Sequence, residues 1–415
     1  MIVRTLAASA AALFAVSSAF AGETEAELES RARAIHDRVI ALDTHVDIDA
    51  GYATWRLDPG GFTRAQVDLP KMRAGGLDAA FFIVYVGQGE LTEEAYAEAR
   101  ATADEKYAAI TRMIRAYPGE IGLATTADEV EAIAASGRRV ALIGMENAWP
   151  LGPSVEDVPM WAERGVRYMS ITHFGNNQFG GSSNPDLTRG DSPIDPGLSD
   201  LGRDLVAALN DNGIMVDISH VGPTTMREAI ELSRAPVIAS HSGARVLRDH
   251  PRNLDDEQLR LIRDNGGVAQ MVAFRGYVGE VAPELREAQE ALIAEMGLDT
   301  KEGREAASDA TWTRYDARLE ALREEHGDVT VADFVDHIDH AVEVAGIDHV
   351  GIASDFDGGG GVLGWDDASE TLAVTVELVR RGYSEEDIAK IWGGNVLRVM
   401  RAVEAAANPD DAAGE

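Results

Sequence analysis

The sequence predicts an α/β barrel in which eight parallel strands alternate with helices. Eight short apolar runs recur along the 415 residues, each the length of a buried strand. Helical patterns separate them, which implies parallel pairing, and eight is the number that closes a (β/α)8, or TIM, barrel. Six of the eight runs end in His, Asp or Glu, at the edge where such a barrel carries its functional groups. A doubly wound open sheet is the alternative, but no Gly-rich phosphate fingerprint follows the first strand.

In chain order, residues 1–21 read as a cleavable leader. Arg4 supplies a positive charge, Thr5 to Ala21 is small and apolar, and Ala19-Phe-Ala21 is a cleavage pattern followed by polar residues. The expectation is an exported bacterial protein, periplasmic or secreted. No Cys follows the leader to carry a lipid, and no later run is long enough to span a bilayer, so no membrane anchor is expected. Residues 22–405 read as one barrel domain and 406–415 as a flexible tail.

Within the domain, residues 23–38 form an amphipathic helix leading into the first strand. The strand-like runs are 39–47, 77–86, 140–146, 166–173, 214–220, 236–241, 267–274 and 350–355. Helical patterns cover 93–117, 200–212, 223–233 and 255–264, several ending in Gly as a C-cap requires. One crossover breaks the rhythm. Residues 276–346 hold two extra acidic helices, at 280–296 and 310–325, before the regular helix at 331–345. The extra helices read as an insertion over the C-terminal face, a lid or an oligomer contact. Residues 368–381, 385–392 and 395–405 form a terminal helical cluster.

Composition narrows the chemistry. With no Cys, disulfides, thiolate zinc sites and Cys nucleophiles are excluded, and any metal must be held by His and carboxylate. A net charge of −34 at pH 7 repels nucleic acid and anionic lipid and keeps the surface well solvated.

The strand ends carry the candidates. The first ends His45-x-Asp47, whose two side chains fall on the same face of a strand. The third ends in Glu146, the fourth in His173, the fifth in Asp217-Ile-Ser-His220, the sixth in Ser240-His241 and the eighth in Ser354-Asp355. Four of the ten His residues lie at these positions. Singly, each reads as a satisfied polar residue or a turn residue. Together they cost too much to bury unless positive charge neutralises them, and a metal centre supplies it. Five ligands exceed the three that one catalytic zinc needs. Two ions fit: His45 and Asp47 on one, His220 and His241 on the other, and Glu146 bridging. Such a pair activates water as hydroxide and polarises a carbonyl, the equipment for hydrolysing an amide or ester. Zn²⁺ suits the ligands, as do Mn²⁺ and Co²⁺.

These residues carry a resemblance. His45-x-Asp47, Glu146, His220, His241 and Ser354-Asp355-Phe-Asp-Gly358 resemble the membrane dipeptidase (renal dipeptidase) family of the amidohydrolase superfamily. Thr172-His173, Pro251-Arg252-Asn253-Leu254 and Trp392-Gly-Gly-Asn395 extend the likeness from about Val39 to Met400. The Asp of the first motif, where most of the superfamily has a second His, and a bridging Glu in place of a modified Lys are specific to this family. The resemblance implies a zinc-dependent dipeptidase with two Zn²⁺ per chain. His45, Asp47 and Glu146 would bind one ion, and Glu146, His220 and His241 the other. It also implies Asp355 as general acid/base, His173 as substrate contact and oxyanion stabiliser, Arg252 as the grip on the substrate's C-terminal carboxylate, and a homodimer. Residue chemistry alone leaves Arg245, Arg248 and Arg252 equivalent. Animal members carry disulfides and a lipid anchor; this sequence has no Cys and no C-terminal apolar tail. That places it with soluble bacterial relatives, whose substrates include dipeptides with a C-terminal D-residue. The alternatives are a binuclear amidase or lactonase acting on N-acyl amino acids or β-lactam-like amides, and a non-catalytic zinc-binding protein.

Three further features invite a role. His337 and His340 could pair on one helix face, but that helix leads into the eighth strand and reads as structural. Gly358 to Gly361 lacks the Lys-Ser/Thr of a phosphate loop and reads as a flexible active-site loop. Trp149, Asn176 and Asn177 lie just past strand ends, where they would line the pocket.

Overall fold

The computed structural model describes residues 23–407. The expected leader and residues 408–415 of the expected tail lie outside them. All eight predicted strands form, in one parallel sheet. We label them β1 (Leu42–Val46), β2 (Ala79–Tyr85), β4 (Arg139–Glu146), β5 (Val166–Ser170), β6 (Met215–Asp217), β7 (Ile238–Ser242), β8 (Val268–Val272) and β9 (Val350–Ala353), neighbours in that order. A short ninth strand, β3 (Ile121–Leu123), pairs with the first half of β4, where Ile121 meets Arg139, while β5 pairs with its second half. The sequence reading missed β3, because three residues are too short to stand out as an apolar run.

The first and last strands meet at the mouth. Asp355 N donates to His45 O (3.0 Å) and Asp47 N donates to Phe356 O (2.9 Å). Thr44 Oγ1 reaches Ile352 O, and Ser354 N donates to Asp43 Oδ1 at 2.9 Å. The seam is thus closed by the backbone of the very residues that end in candidate ligands.

Helices follow strands because their ends are specified locally. Ser199 caps α6 (Asp200–Asp211), Pro223 opens α7 (Pro223–Leu232), and Asp255 with Gln258 forms a reciprocal capping box on α8 (Asp256–Asn265). Gly266, at φ 82°, ends α8 in a left-handed turn that favours glycine. The interior is filled by Leu42, Phe81, Leu142, Tyr168 and Val268, one from each of five strands. The terminal helix α16 (Asn395–Ala407) plugs the opposite end of the barrel. Its Val396, Val399, Met400 and Val403 join that interior cluster. Asn395 Nδ2 donates to Ile347 O and Val350 O and pins the helix to the start of β9.

The insertion is helical as expected, with α10 (Pro283–Glu295), α11 (Lys301–Ala306) and α12 (Asp309–His326) ahead of the regular helix α13 (Val331–Ala345). It leans on the loops of the mouth. Arg64, in the loop after β1, pairs with Asp316 (3.1 Å) and lies over the Trp312 ring. At its far end, Arg275 and Arg323 both bind Asp328, buried between them, and both reach Asp366 in the loop after β9 (2.9 Å each). His337, on α13, accepts from Ala244 N at Nδ1 and donates to Val278 O from Nε2. Its role is structural, as its place in the sequence implied.

Met400→Ala would leave a void where α16 meets the barrel interior. The expected cost is about 2–5 kcal/mol, read as a lower urea midpoint at unchanged slope.

Candidate active site

Six of the eight predicted site residues line one cavity of 690 Å³ at the mouth, Asp47, Glu146, His173, His220, His241 and Asp355, with His45 buried just behind Asp47. Glu146 stands at the centre. Its Oε1 lies 3.0 Å from His220 Nε2 and 3.3 Å from His241 Nε2, and those two nitrogens are 2.9 Å apart. Its Oε2 lies 3.6 Å from His45 Nε2, which is itself 3.6 Å from Asp47 Oδ2. The two carboxylate oxygens therefore face two different sets of ligand atoms. His173 Nε2 is 3.9 Å from Glu146 Oε1, and Asp355 groups with His45 and Asp47.

The donor set fits metal ions. His45 Nε2 and Asp47 Oδ1 are buried without a hydrogen-bond partner. His220 and His241 turn their Nε2 atoms toward the same carboxylate oxygen, and one proton cannot serve all three lone pairs. Ligand atoms about 2.0–2.1 Å from a tetrahedral zinc lie roughly 3.3 Å from each other. The spacings of 2.9–3.6 Å around Glu146 bracket that edge length. Electrostatics points the same way. Burial opposes charge on His45, yet the carboxylates of Glu146 and Asp47 overcome it and raise its pKa well above the ordinary value. Burial pushes His220 and His241 well down, so they remain neutral and able to ligate. Burial would raise Glu146, but the imidazoles around it, His45 foremost, hold it ionised. Asp355 is pushed up to about 8, by burial first and then by Asp47 and Glu146, against the pull of His45.

Outer partners fix the ligands. Tyr168 donates its hydroxyl hydrogen to Thr44 O (3.0 Å), so it accepts from His45 Nδ1 (2.9 Å). That sets the tautomer and leaves His45 Nε2 as the lone pair. Ser240 repeats the device. It donates to Asp217 Oδ2 (2.7 Å) and accepts from His241 Nδ1 (2.8 Å). Tyr168 fits inside the barrel because Gly144, two residues before Glu146, has no side chain; a Cβ there would meet the ring at 2.3 Å. Gly358 plays a similar part, since its Cβ would fall 2.3 Å from both Asp355 Oδ1 and Asp47 Oδ2. The backbone turns sharply at the strand ends, with Asn147, His220 and Asp355 at φ 74°, 68° and 60°. Such left-handed residues cost of order 1–3 kcal/mol each and gather where geometry serves function.

Arg252, like His45, lies outside the cavity lining. It is buried against the site, donating from Nη2 to His241 O (2.8 Å) and lying over the Tyr277 ring, which does line the cavity. Trp149, Asn176 and Asn177 do not line it. Asn177 Nδ2 instead ties Asn147 Oδ1 to Ile171 O, and Asn176 Oδ1 accepts from Ser182 N, so both shape the loop behind the site. The sequence reading missed Tyr85, Tyr168, Phe274, Tyr277 and Lys106. Phe274 ends a predicted strand and Tyr85 is the last but one residue of another, and that position was the available signal. Lys106 lies in a helical pattern, Tyr168 in mid-strand and Tyr277 between the seventh strand and the next predicted helix, with nothing local to mark them.

A sequence profile of the family described as membrane dipeptidase (peptidase family M19) matches residues 29–414. This chain belongs to that family. The Aspergillus terreus protein named dipeptidase ataJ is 32% identical over 412 residues, covering 92% of this chain and 89% of the relative. The crystal structure of the probable dipeptidase PvdM from Pseudomonas aeruginosa superposes with a TM-score of 0.80 at 35% identity, over 92% of this chain and 99% of that one. A metallopeptidase of Rhodobacter sphaeroides, crystallised with a phosphinate mimic of the dipeptide L-Ala-D-Ala, shares the fold. Its TM-score is 0.68 at 24% identity, over 88% of this chain and 99% of that one. Family and donor geometry together make this chain a metal-dependent dipeptidase-type hydrolase with a two-metal donor set.

Tyr168→Phe removes the acceptor that orients His45. Zinc affinity should fall about 10–100-fold in chelator competition while the far-ultraviolet circular dichroism stays unchanged.

Proposed function

We propose that the chain is an exported, homodimeric dipeptidase that cleaves free dipeptides, including those with a D-residue at the C-terminal position. The observation that carries the dipeptidase reading is Glu146, whose two oxygens each face a separate ligand group within one cavity. His45, Asp47 and Glu146 Oε2 would hold one ion, and Glu146 Oε1, His220 and His241 the other. When bound, such a pair supplies Lewis acidity, activating water and polarising the scissile carbonyl.

The chain's own residues do the rest. Asp355 shares the cavity with Asp47 and Glu146; as a carboxylate it takes a proton from the attacking water, and as the resulting acid it delivers that proton to the leaving amine. Burial lowers the pKa of His173. It stands as a neutral donor beside Glu146, placed to meet the carbonyl oxygen as negative charge grows there. Arg252 keeps its Nε without a protein partner, and its planar fork suits the substrate's C-terminal carboxylate. The aromatic walls, Tyr85, Phe274 and Tyr277, shield these groups from water.

Export rests on the leader pattern in residues 1–21, and no described helix is long and apolar enough to cross a membrane. The high negative charge argues against nucleic acid as a partner. The homodimer rests on the family resemblance.

A panel of L-L and L-D dipeptides with their N-acetyl counterparts, offered to the zinc-loaded protein, tests this reading. Free dipeptides should be hydrolysed and N-acetyl forms should lag by at least about tenfold. Equal rates would instead favour the amidase. Asp355→Asn should keep the metal content and lose about 10²–10⁴ in turnover; a fully active variant would remove Asp355 from the proton path.

A further inference from the structure

Among the described residues, the cavity lining holds one cation without an ion pair. Four charged residues besides the metal-site groups line the cavity: Asp49, Arg64, Lys106 and Asp357. Three are committed elsewhere. Asp49 Oδ1 accepts from Gly51 N at 2.6 Å. Asp357 accepts from the backbone N–H groups of Gln66 (2.8 Å) and Val67 (3.3 Å). Arg64 is held in a two-point pair by Asp316 and stacked on Trp312. Lys106 differs. It projects from α3 (Glu93–Ala116), is half-buried, and donates to the Ile48 carbonyl, with no ion pair among the described residues. An ammonium has three donors, so two remain for the cavity.

Its position gives it meaning. Ile48 directly follows Asp47, so the ammonium is tethered beside the His45–Asp47 half of the site. Arg252 is tethered to His241 O, beside the other half. A dipeptide whose C-terminal carboxylate meets Arg252 therefore extends its N-terminal residue toward Lys106. A half-buried cation repels a cationic side chain there and favours an anionic one, to which it can offer charge-assisted hydrogen bonds.

We propose that Lys106 is a specificity-determining residue that selects dipeptides with an acidic N-terminal side chain. This rests on the dipeptidase reading and deepens it. The test uses Glu-Ala and Gln-Ala, which match in shape and differ in charge, with the zinc-loaded enzyme. The wild-type protein should favour Glu-Ala by about tenfold in kcat/KM. Lys106→Met should bring the ratio to about one, Lys106→Arg should retain it, and Lys106→Glu should invert it. If Lys106 only supports the Ile48 loop, Lys106→Met lowers both rates together and leaves the ratio intact, which overturns the proposal. So does a wild-type ratio of one or less, which needs no variant to fold. Hydrolysis of Gln-Ala without a preference for Glu-Ala refutes the role of Lys106 alone. Hydrolysis of neither refutes the dipeptidase reading and this inference with it.

Discussion

The structure depends on one buried carboxylate. Glu146 is 3% exposed and meets four imidazoles within 3.9 Å. Ionised and alone, it would carry a desolvation penalty of several kcal/mol. Each neighbouring group is arranged to answer that charge or to share a cation with it. The strands bring the groups to one height, Tyr168 and Ser240 turn the rings, and Gly144 opens the space that Tyr168 occupies. Such a cluster is stable only as a whole. Removing one partner leaves an uncompensated charge, whereas filling the site with divalent ions satisfies every lone pair at once.

The same residues close the barrel. Parallel strands β1 and β9 share few ladder bonds, and their union is made by the backbones of His45, Asp47, Asp355 and Phe356. Site and seam are thus one piece of structure, and the side chains inherit the rigidity of the sheet. The left-handed turns at His220 and Asp355 fit this arrangement. They swing side chains off the strand direction into the mouth, and the surrounding hydrogen bonds hold the strained backbone in place. The insertion meets the rim of this centre through Arg64 and the Asp328–Asp366 ion network.

What could be read from the sequence follows from what is local. Buried parallel strands are continuous apolar runs, so eight of nine strands stood out, and the ligands stood out because each ends such a run. β3 did not, because three residues carry too little signal. Tyr168 lies mid-strand, and its partner His45 is more than a hundred residues away, so no spacing pattern connects them. Asp217 and Ser240 sat inside recognised motifs, yet their relay to His241 exists only once β6 and β7 are adjacent. Arg252 needed its family context, because sequence chemistry left three nearby arginines equal. Lys106 lies in a long charged helix, where a solvated face was the natural reading.

Charge balance connects these levels. Asp47, Glu146 and Asp355 bring three negative charges to the mouth, and two divalent ions would bring four positive ones. The ions would draw down the pKa of Asp355, which burial and its carboxylate neighbours push up to about 8. The balance left at the centre is one positive charge, which a deprotonated water answers. Arg252 adds a second, buried beside His241, which the C-terminal carboxylate of the proposed substrate would match. On that proposal a dipeptide would complete the electrostatics at that end, while a substrate without the carboxylate would leave a buried guanidinium unanswered. Lys106, bound to the Ile48 carbonyl, has no ion pair among the described residues. In a chain of net charge −34, a cation without a counter-ion at an active-site wall is more than surface composition. Placed as proposed, a dipeptide would meet Arg252 at its C-terminal end and Lys106 at the other, and an anionic group on each residue would answer both.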